Sequence, residues 1–410
     1  MDINEKRGDI TPHHQDAFGD EEFAEVKQCG LLMVAETSSL GILSLPAAVA
    51  GLGLVPAIIV LLDLGILASY TGYVIGQLKW KYPHISSIAD AGELVMGPFG
   101  RVLLFIGSIL YLIFIMASHI LTFTVAMNPI TEHCTCSIVF GIVGIIVSFR
   151  FSLPRTMRNV SWLSVASFIS IIAAVFVTMI AVGVQNPGTV VKAIAEPNLV
   201  TGFTAVASIV FSYASHNTFF NMISELRDPR EFPKAFAMLQ CIDICLYLVT
   251  GAVIYRYAGH KVFSPALGSA GPLMAKVAYG VALPTILIAG VIYGHVACKS
   301  IYLRIFAGTS RIYNRDWVAV GSWIGIGLSL WVIAWVIASS IPVFNSLLSL
   351  MSALFGSWFT YGLPAIFWFY MNKDKWLSSS RKIALTMLNL VCLCVGIILG
   401  SGSFNCANNA

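Results

Sequence analysis

The sequence predicts an all-α integral membrane protein with eleven transmembrane helices, of which the first and the sixth are discontinuous. Three observations carry that prediction. Hydrophobic residues make up 57% of the 410 and charged residues only 11%, less than half the roughly 25% found in a soluble domain. The apolar residues form continuous runs of about 20, the length of helix that crosses hydrocarbon roughly 30 Å thick. Threading those runs alternately across a bilayer puts 20 of the 24 Lys and Arg residues on one side, as basic loops demand. The scarcity of charge excludes disorder, a coiled coil and nucleic-acid binding. Continuous rather than alternating apolar runs exclude a β-barrel.

Residues 1–28 are polar and acidic, with GDEEFAEVK near their end. They lack a basic stretch ahead of a short apolar core, so they read as a cytoplasmic tail and not a signal peptide. Spans follow at 29–50, 54–78, 101–127, 137–150, 160–184, 199–223, 235–258, 278–304, 318–340, 344–371 and 382–402. The fourth (SIVFGIVGIIVSF) is short, yet removing it would move every later basic loop to the wrong face. Residues 29–371 make a ten-helix core; 372–410 hold the eleventh helix and a short extracytoplasmic C-terminus. The cytoplasmic side then collects Lys6, Arg7, Lys27, Lys79, Lys81, Arg101, Arg150, Arg155, Arg158, Arg227, Arg230 and Lys234. It also holds Lys299, Arg304, Arg311, Arg315, Lys373, Lys375, Arg381 and Lys382, leaving Lys192, Arg256, Lys261 and Lys276 outside.

The connections carry less information. The loop from Lys79 to Arg101 is expected to be a connector with a short surface helix. SELRDPREFPKAF reads as a cytoplasmic hinge with Pro233 at the start of the seventh span. The sequon Asn159-Val160-Ser161 falls on the cytoplasmic side, where it would stay unused. Cys241, Cys245, Cys298, Cys392 and Cys394 lie inside spans, where Cys acts as a small apolar residue. Cys134 and Cys136 are too close for an easy mutual bridge, which leaves a bridge to Cys406 open. No CxxC pair or HExxH pattern suggests a metal, no nucleophile–base set suggests an enzyme, and no cofactor is implied.

Two spans contain polar and helix-breaking residues at mid-depth. The first carries Ser38, Ser39, Gly41, Ser44 and Pro46; the sixth carries Ser212, Ser215, His216, Asn217 and Thr218. Small residues in one such helix are explained by close helix packing. Two breaks at matching places, one in a span that starts inside and one in a span that starts outside, point further. Five spans per half make the second half an upside-down copy of the first, a five-plus-five inverted repeat. Breaks at matching positions of inverted halves mark a midplane binding site. Freed N–H groups at a half-helix start suit an anionic group, and freed carbonyls suit a cation. Together they suit a zwitterion.

The stretches GLLMVAETSSLGILSLPAAVAGLGLVPA and FSYASHNTFFNMISELRDPREFPKAF resemble the amino acid/auxin permease family. ILASYTGYVIGQLKWKYPHISSIADAGELVMGPFGR is similar to the fungal neutral amino acid permeases within it. The resemblance covers nearly all of residues 20–400. It implies a LeuT-like five-plus-five bundle with an added eleventh helix and amino acid symport driven by protons or, in some members, sodium. It carries a substrate site onto Ser38, Ser39, Gly41 and Ile42, and onto Ser212, Tyr213, Ala214 and His216. The carboxylate is expected at the backbone near Ser39–Ile42 and the ammonium at carbonyls near Phe211–Ala214. Small and aliphatic lining suits a neutral side chain.

Ionisable groups inside spans are candidates to load and release a proton. Glu36, Asp63 and Asp243 are the acids there; His119, His216 and His295 are the histidines. Glu36 leads, about five residues or roughly 7.5 Å of helix rise from Gly41, with a bracing hydrogen bond as its plain alternative. Asp243 and His295 follow. The eighth span packs on the first at the cation site of sodium-coupled relatives, so the His295 imidazole is expected to stand in for the ion. Asp63 departs from the family pattern, and His119 reads as a satisfied interior histidine. The expectation is a proton-coupled symporter of neutral amino acids in the plasma membrane, N-terminus cytoplasmic. A sodium-coupled or vacuolar transporter and an amino acid sensor without net transport are the alternatives.

Overall fold

Each apolar run of the sequence becomes helical in the computed structural model, which describes residues 26–155, 160–185, 190–309, 312 and 316–407. Helix α1 (Val26–Thr37) and α2 (Gly41–Leu52) share the first run and meet at a bend of 49°. Helix α3 (Leu54–Lys81) follows, then α4 (Ile88–Ile130), which joins the expected surface helix to the third span. Ser87 caps α4: its side chain accepts from the Asp90 N–H while the Asp90 carboxylate accepts from the Ser87 N–H at 3.0 Å. Such a reciprocal cap contributes about 1 kcal/mol. The two parts of α4 turn at Gly97, whose φ of 67° disfavours any residue with a Cβ, and Pro98 follows it.

The chain continues through α5 (Ser137–Ser152), α6 (Val160–Gln185) and α7 (Leu199–Ser212). A 3₁₀ turn at His216–Thr218 leads into α8 (Phe219–Glu225). Then come α9 (Phe232–Ala258), with Pro233 in its first turn as expected, α10 (Pro272–Ile305) and α11 (Trp317–Ser340). The tenth run starts as α12 (Phe344–Met351), passes through π-helical segments Ser352–Gly356 and Trp358–Gly362, and ends as α13 (Leu363–Met371). Helix α14 (Ser380–Ala407) closes the chain.

Among the described residues nine continuous helical runs are long and apolar enough to cross a bilayer, and the bent α1–α2 pair makes ten. Helix α5, with 16 residues, falls short of that length. Residues 1–25, Arg158, Asn159, Arg311 and Arg315 lie outside the described residues, as do the side chains of Lys27, Ser161 and Cys406. Cys134 and Cys136 are exposed and unbridged.

The broken spans sit between two groups of helices. Helix α2 packs on α7 and α9, α1 on α9 and α6, and α3 on α9 and α13. Helix α10 packs on α4, α6 and α11, with α5 bracing α4 and α11. Trp323 and Trp331 are interior packing residues: their indole N–H groups donate to the Leu153 carbonyl and the Ser152 hydroxyl, each at 3.0 Å, tying α11 to the end of α5 and the residue after it. The outer surface is a belt of exposed apolar side chains such as Ile66, Ile146, Ile180 and Ile398, the exterior that a lipid environment allows. On the outer side predicted from charge, Lys276 Nζ lies 2.5 Å from the Glu132 carboxylate. That ammonium holds the exposed Glu132 carboxyl below the usual carboxylate range.

Candidate functional site

The two breaks meet. A Cβ on Gly41 would lie 2.8 Å from Ser212 Cα, closer than real Cβ atoms approach another backbone. Gly41 therefore lets the start of α2 rest directly on the end of α7. Helix α1 makes its last bond from Ser38 N to the Val34 carbonyl, at 2.9 Å; Leu43 N to the Leu40 carbonyl opens α2. Leu40 supplies no side-chain cap, so the first N–H groups of α2 are the unsatisfied donors of a helix start. The break itself is short, Ser38–Leu40. Pro46 does not belong to it, because it lies inside α2, and Ser44 bonds back to the Gly41 carbonyl at 2.8 Å.

The span 6 break runs through Tyr213, Ala214 and Ser215, whose N–H groups reach the carbonyls of Val210, Phe211 and Tyr213 at 3.0–3.1 Å. Carbonyls released at both breaks are taken up by tyrosines from neighbouring helices. Tyr111 on α4 donates to the Ala214 carbonyl at 2.6 Å, and Tyr293 on α10 donates to the Glu36 carbonyl at 3.1 Å. Tyr247 on α9 donates to the Ser212 carbonyl at 2.9 Å and lies 3.4 Å from the Thr37 carbonyl, so one hydroxyl touches both breaks.

Between the breaks, α4 and α10 lies a cavity of about 20 Å³, room for about one water. Glu36, Thr37, Ser39, Leu40, Tyr111, Ile115, His119, Phe211, Ala214, Ser215 and Tyr293 line it. An amino acid, with at least five non-hydrogen atoms, enters only if these walls separate.

Of the residues singled out by sequence for the two breaks and the proton, Glu36, Ser39, Phe211, Ala214 and Ser215 reach the cavity together. Ser38, Gly41, Ile42, Ser212, Tyr213 and His216 stand behind its wall. Ile42 is fully buried in α2. Tyr213 donates to the Leu61 carbonyl on α3 at 3.1 Å. His216 faces α3, its Nε2 lying 3.1 Å from both the Ala68 carbonyl and Thr71 Oγ1. Because a carbonyl only accepts, that nitrogen carries the hydrogen, and the ring anchors the break instead of facing the cavity.

Asp243, fully buried on α9, accepts from the Ser38 hydroxyl at 2.5 Å, while its other oxygen has no hydrogen-bond partner among the described residues. His295 is turned towards α11, its ring centroid 5.4 Å from that of Trp323. Contact between α10 and span 1 comes instead from Tyr293, two residues earlier, because the helical turn carries residue 295 to a different face. Asp63 is exposed on the outer face of α3 beside Leu62 and Ile66. The sequence reading missed Thr37, Leu40, Tyr111, Ile115 and Tyr293, and placed His119 in the interior without a cavity. The recurrence of Tyr111, Ile115 and His119 every four residues marks one helix face, but in a span apolar all round that face carries no contrast.

A family model of the transmembrane amino acid transporter protein matches residues 24–405. The chain belongs to this family of transmembrane amino acid transporters. A relative of this transporter, the N amino acid transport system protein of Neurospora crassa, is 38% identical over 390 residues, covering 92% of this chain and 83% of that protein. A transmembrane transporter of Fusarium pseudograminearum is 31% identical, covering 84% and 75%. Among solved structures, a Na+-coupled sialic acid symporter in a substrate-bound, outward-open state superposes with a TM-score of 0.57 at 13% identity, covering 95% of this chain and 91% of that one. That likeness shows a shared fold. The family and these relatives are transporters and not enzymes, in line with the lack of a nucleophile–base set. The chain is thus an amino acid transporter by family.

Proposed function

We propose that the protein is a proton-coupled symporter of neutral amino acids that works by alternating access around the α1–α2 and α7–α8 breaks. The observation that carries this reading is the Asp243–Ser38 hydrogen bond: a buried acid, with no ion pair among the described residues, grips the break of the first span. Ionisable groups inside a membrane are costly and belong to ion pathways or sites. Adding or removing a proton at Asp243 changes what it offers the Ser38 hydroxyl, and so biases a segment on the cavity wall. Glu36, in the cavity, is the second proton carrier in this reading. His295 is left out of this reading, because its ring packs on Trp323 away from span 1.

The substrate carboxylate meets the N–H groups at Ser39–Ile42, and its ammonium meets the carbonyls near Phe211–Ala214. The tyrosine hydroxyls leave a second lone pair on those carbonyls. The chain crosses the plasma membrane eleven times as a five-plus-five inverted repeat plus one helix, counting α5 as the fourth crossing, with its N-terminus in the cytoplasm. Uptake of labelled neutral amino acids into liposomes under an imposed pH gradient tests this. We expect accumulation that a protonophore abolishes; accumulation indifferent to both gradient and protonophore refutes proton coupling. Sodium coupling is the rival reading, favoured by the Na+-coupled solved neighbour, and uptake that collapses when choline replaces sodium would establish it. Locating a tagged chain separates the plasma membrane from the vacuole.

A further inference from the structure

We propose that His119 accepts a hydrogen bond from the substrate's side chain, so that the transporter selects neutral amino acids whose side chains carry an N–H or O–H donor. This rests on the reading that the cavity between the breaks holds the amino acid, and it names which neutral amino acids that cavity prefers.

The ring is fixed by its surroundings. His119 is only 3% exposed, and its Nδ1 lies 2.9 Å from the Ile286 carbonyl on α10. A carbonyl cannot donate, so Nδ1 carries the hydrogen, and the neutral ring presents Nε2 as a bare acceptor. The absence of a side chain at Gly290 lets α10 lie against the His119 Cβ: a Cβ added there would sit 3.0 Å from it. The Tyr293 ring centroid is 6.2 Å away.

Nε2 itself is buried with no hydrogen-bond partner among the described residues, although the residue lines the cavity. Ser215 Oγ, from the span 6 break, is likewise buried and unpartnered on the same cavity. A buried polar atom left unmade costs free energy, which a donor on the ligand would recover. Leu40, Ile115 and Phe211, the apolar part of the lining, have no donor to give. A ligand that fills the space without a donor leaves Nε2 stranded, the arrangement by which sites discriminate strongly between near-isosteres. The backbone breaks are matched to the ammonium and carboxylate, so the α4 wall that bears His119 meets the side chain.

The experiment uses the full chain in liposomes and compares three near-isosteric pairs as competitors of labelled asparagine uptake: asparagine with leucine, glutamine with methionine, threonine with valine. We expect the donor-bearing member of each pair to compete about tenfold better or more. His119→Leu should lower that ratio about fivefold or more while leucine still competes, and His119→Gln, whose amide can donate to Ile286 and still accept, should restore part of it. Equal competition within the wild-type pairs, or an unchanged ratio in His119→Leu, overturns the proposal. So does a preference for aspartate and glutamate, which would make the ring a donor. If His119→Leu does not fold, the wild-type ratios and His119→Gln still decide. A wild type that takes up no amino acid refutes the transport reading itself, and does so before any variant is compared.

Discussion

The breaks in spans 1 and 6 are alike in backbone and unlike in what holds them. Each interrupts a helix for three residues, and each gives a released carbonyl to a tyrosine hydroxyl from α4, α9 or α10. Span 6 is anchored without a carboxyl, by His216 to the Ala68 carbonyl and Tyr213 to the Leu61 carbonyl, both on α3. Span 1 is anchored by a carboxyl, Asp243, and carries a second one, Glu36, one residue before the end of α1. Between Phe211 and Thr218 the sequence has no acid at all. The two breaks therefore differ in the titratable group that holds them: a carboxyl on Ser38 in span 1, the His216 imidazole on the Ala68 carbonyl in span 6. The contrast teaches that the proposed proton coupling is to be tested first at the carboxyls of span 1, with the His216 anchor of span 6 as the comparison.

The sharpest way to break this contrast is Asp243→Asn, which keeps an acceptor for Ser38 but removes the titrating group. We expect gradient-driven accumulation to fall by about tenfold or more, while exchange of labelled substrate across the membrane persists. Accumulation that survives intact in both Asp243→Asn and Glu36→Gln would remove span 1 from the coupling role. Next in size is Gly41→Ala, where the new methyl meets Ser212. Overpacking of this kind costs about 1–3 kcal/mol, and uptake should drop while surface expression holds; unchanged uptake would mean the breaks are not in contact during transport. Tyr111→Phe removes the donor to Ala214, a loss of about 1 kcal/mol, expected as a few-fold rise in KM with little change in maximal rate. The smallest effect is Lys276→Ala: an exposed ion pair far from either break should leave uptake within about twofold of wild type.

Much of this could be read before any coordinates. The positions of both breaks, the surface helix before span 3 and Pro233 at the start of α9 follow from glycine, proline and polar residues in otherwise apolar runs. A polar residue inside a span stands out against its neighbours, so Ser38, Ser39, Ser212 and His216 were visible as features of the breaks. Their directions were not. His216 turns to α3 and His295 to Trp323, because a helix of 3.6 residues per turn gives each position its own face and an apolar span offers no pattern to say which face is inside. Tyr111 and Tyr293 were invisible as site residues for the same reason: their hydroxyls matter only because spans far apart in sequence bring them to the released carbonyls.

The sequence alone determined that this chain is a multi-pass membrane protein, where most of its spans fall and which two are broken, since hydrocarbon thickness and the cost of unsatisfied backbone groups act on each span separately. The tertiary structure decided which polar atoms face the cavity and which merely hold it, because that depends on the packing of α1–α2, α7–α8, α4 and α10 against one another. Asp243 at Ser38 and His119 with a bare Nε2 are both products of that packing, and no local pattern encodes it.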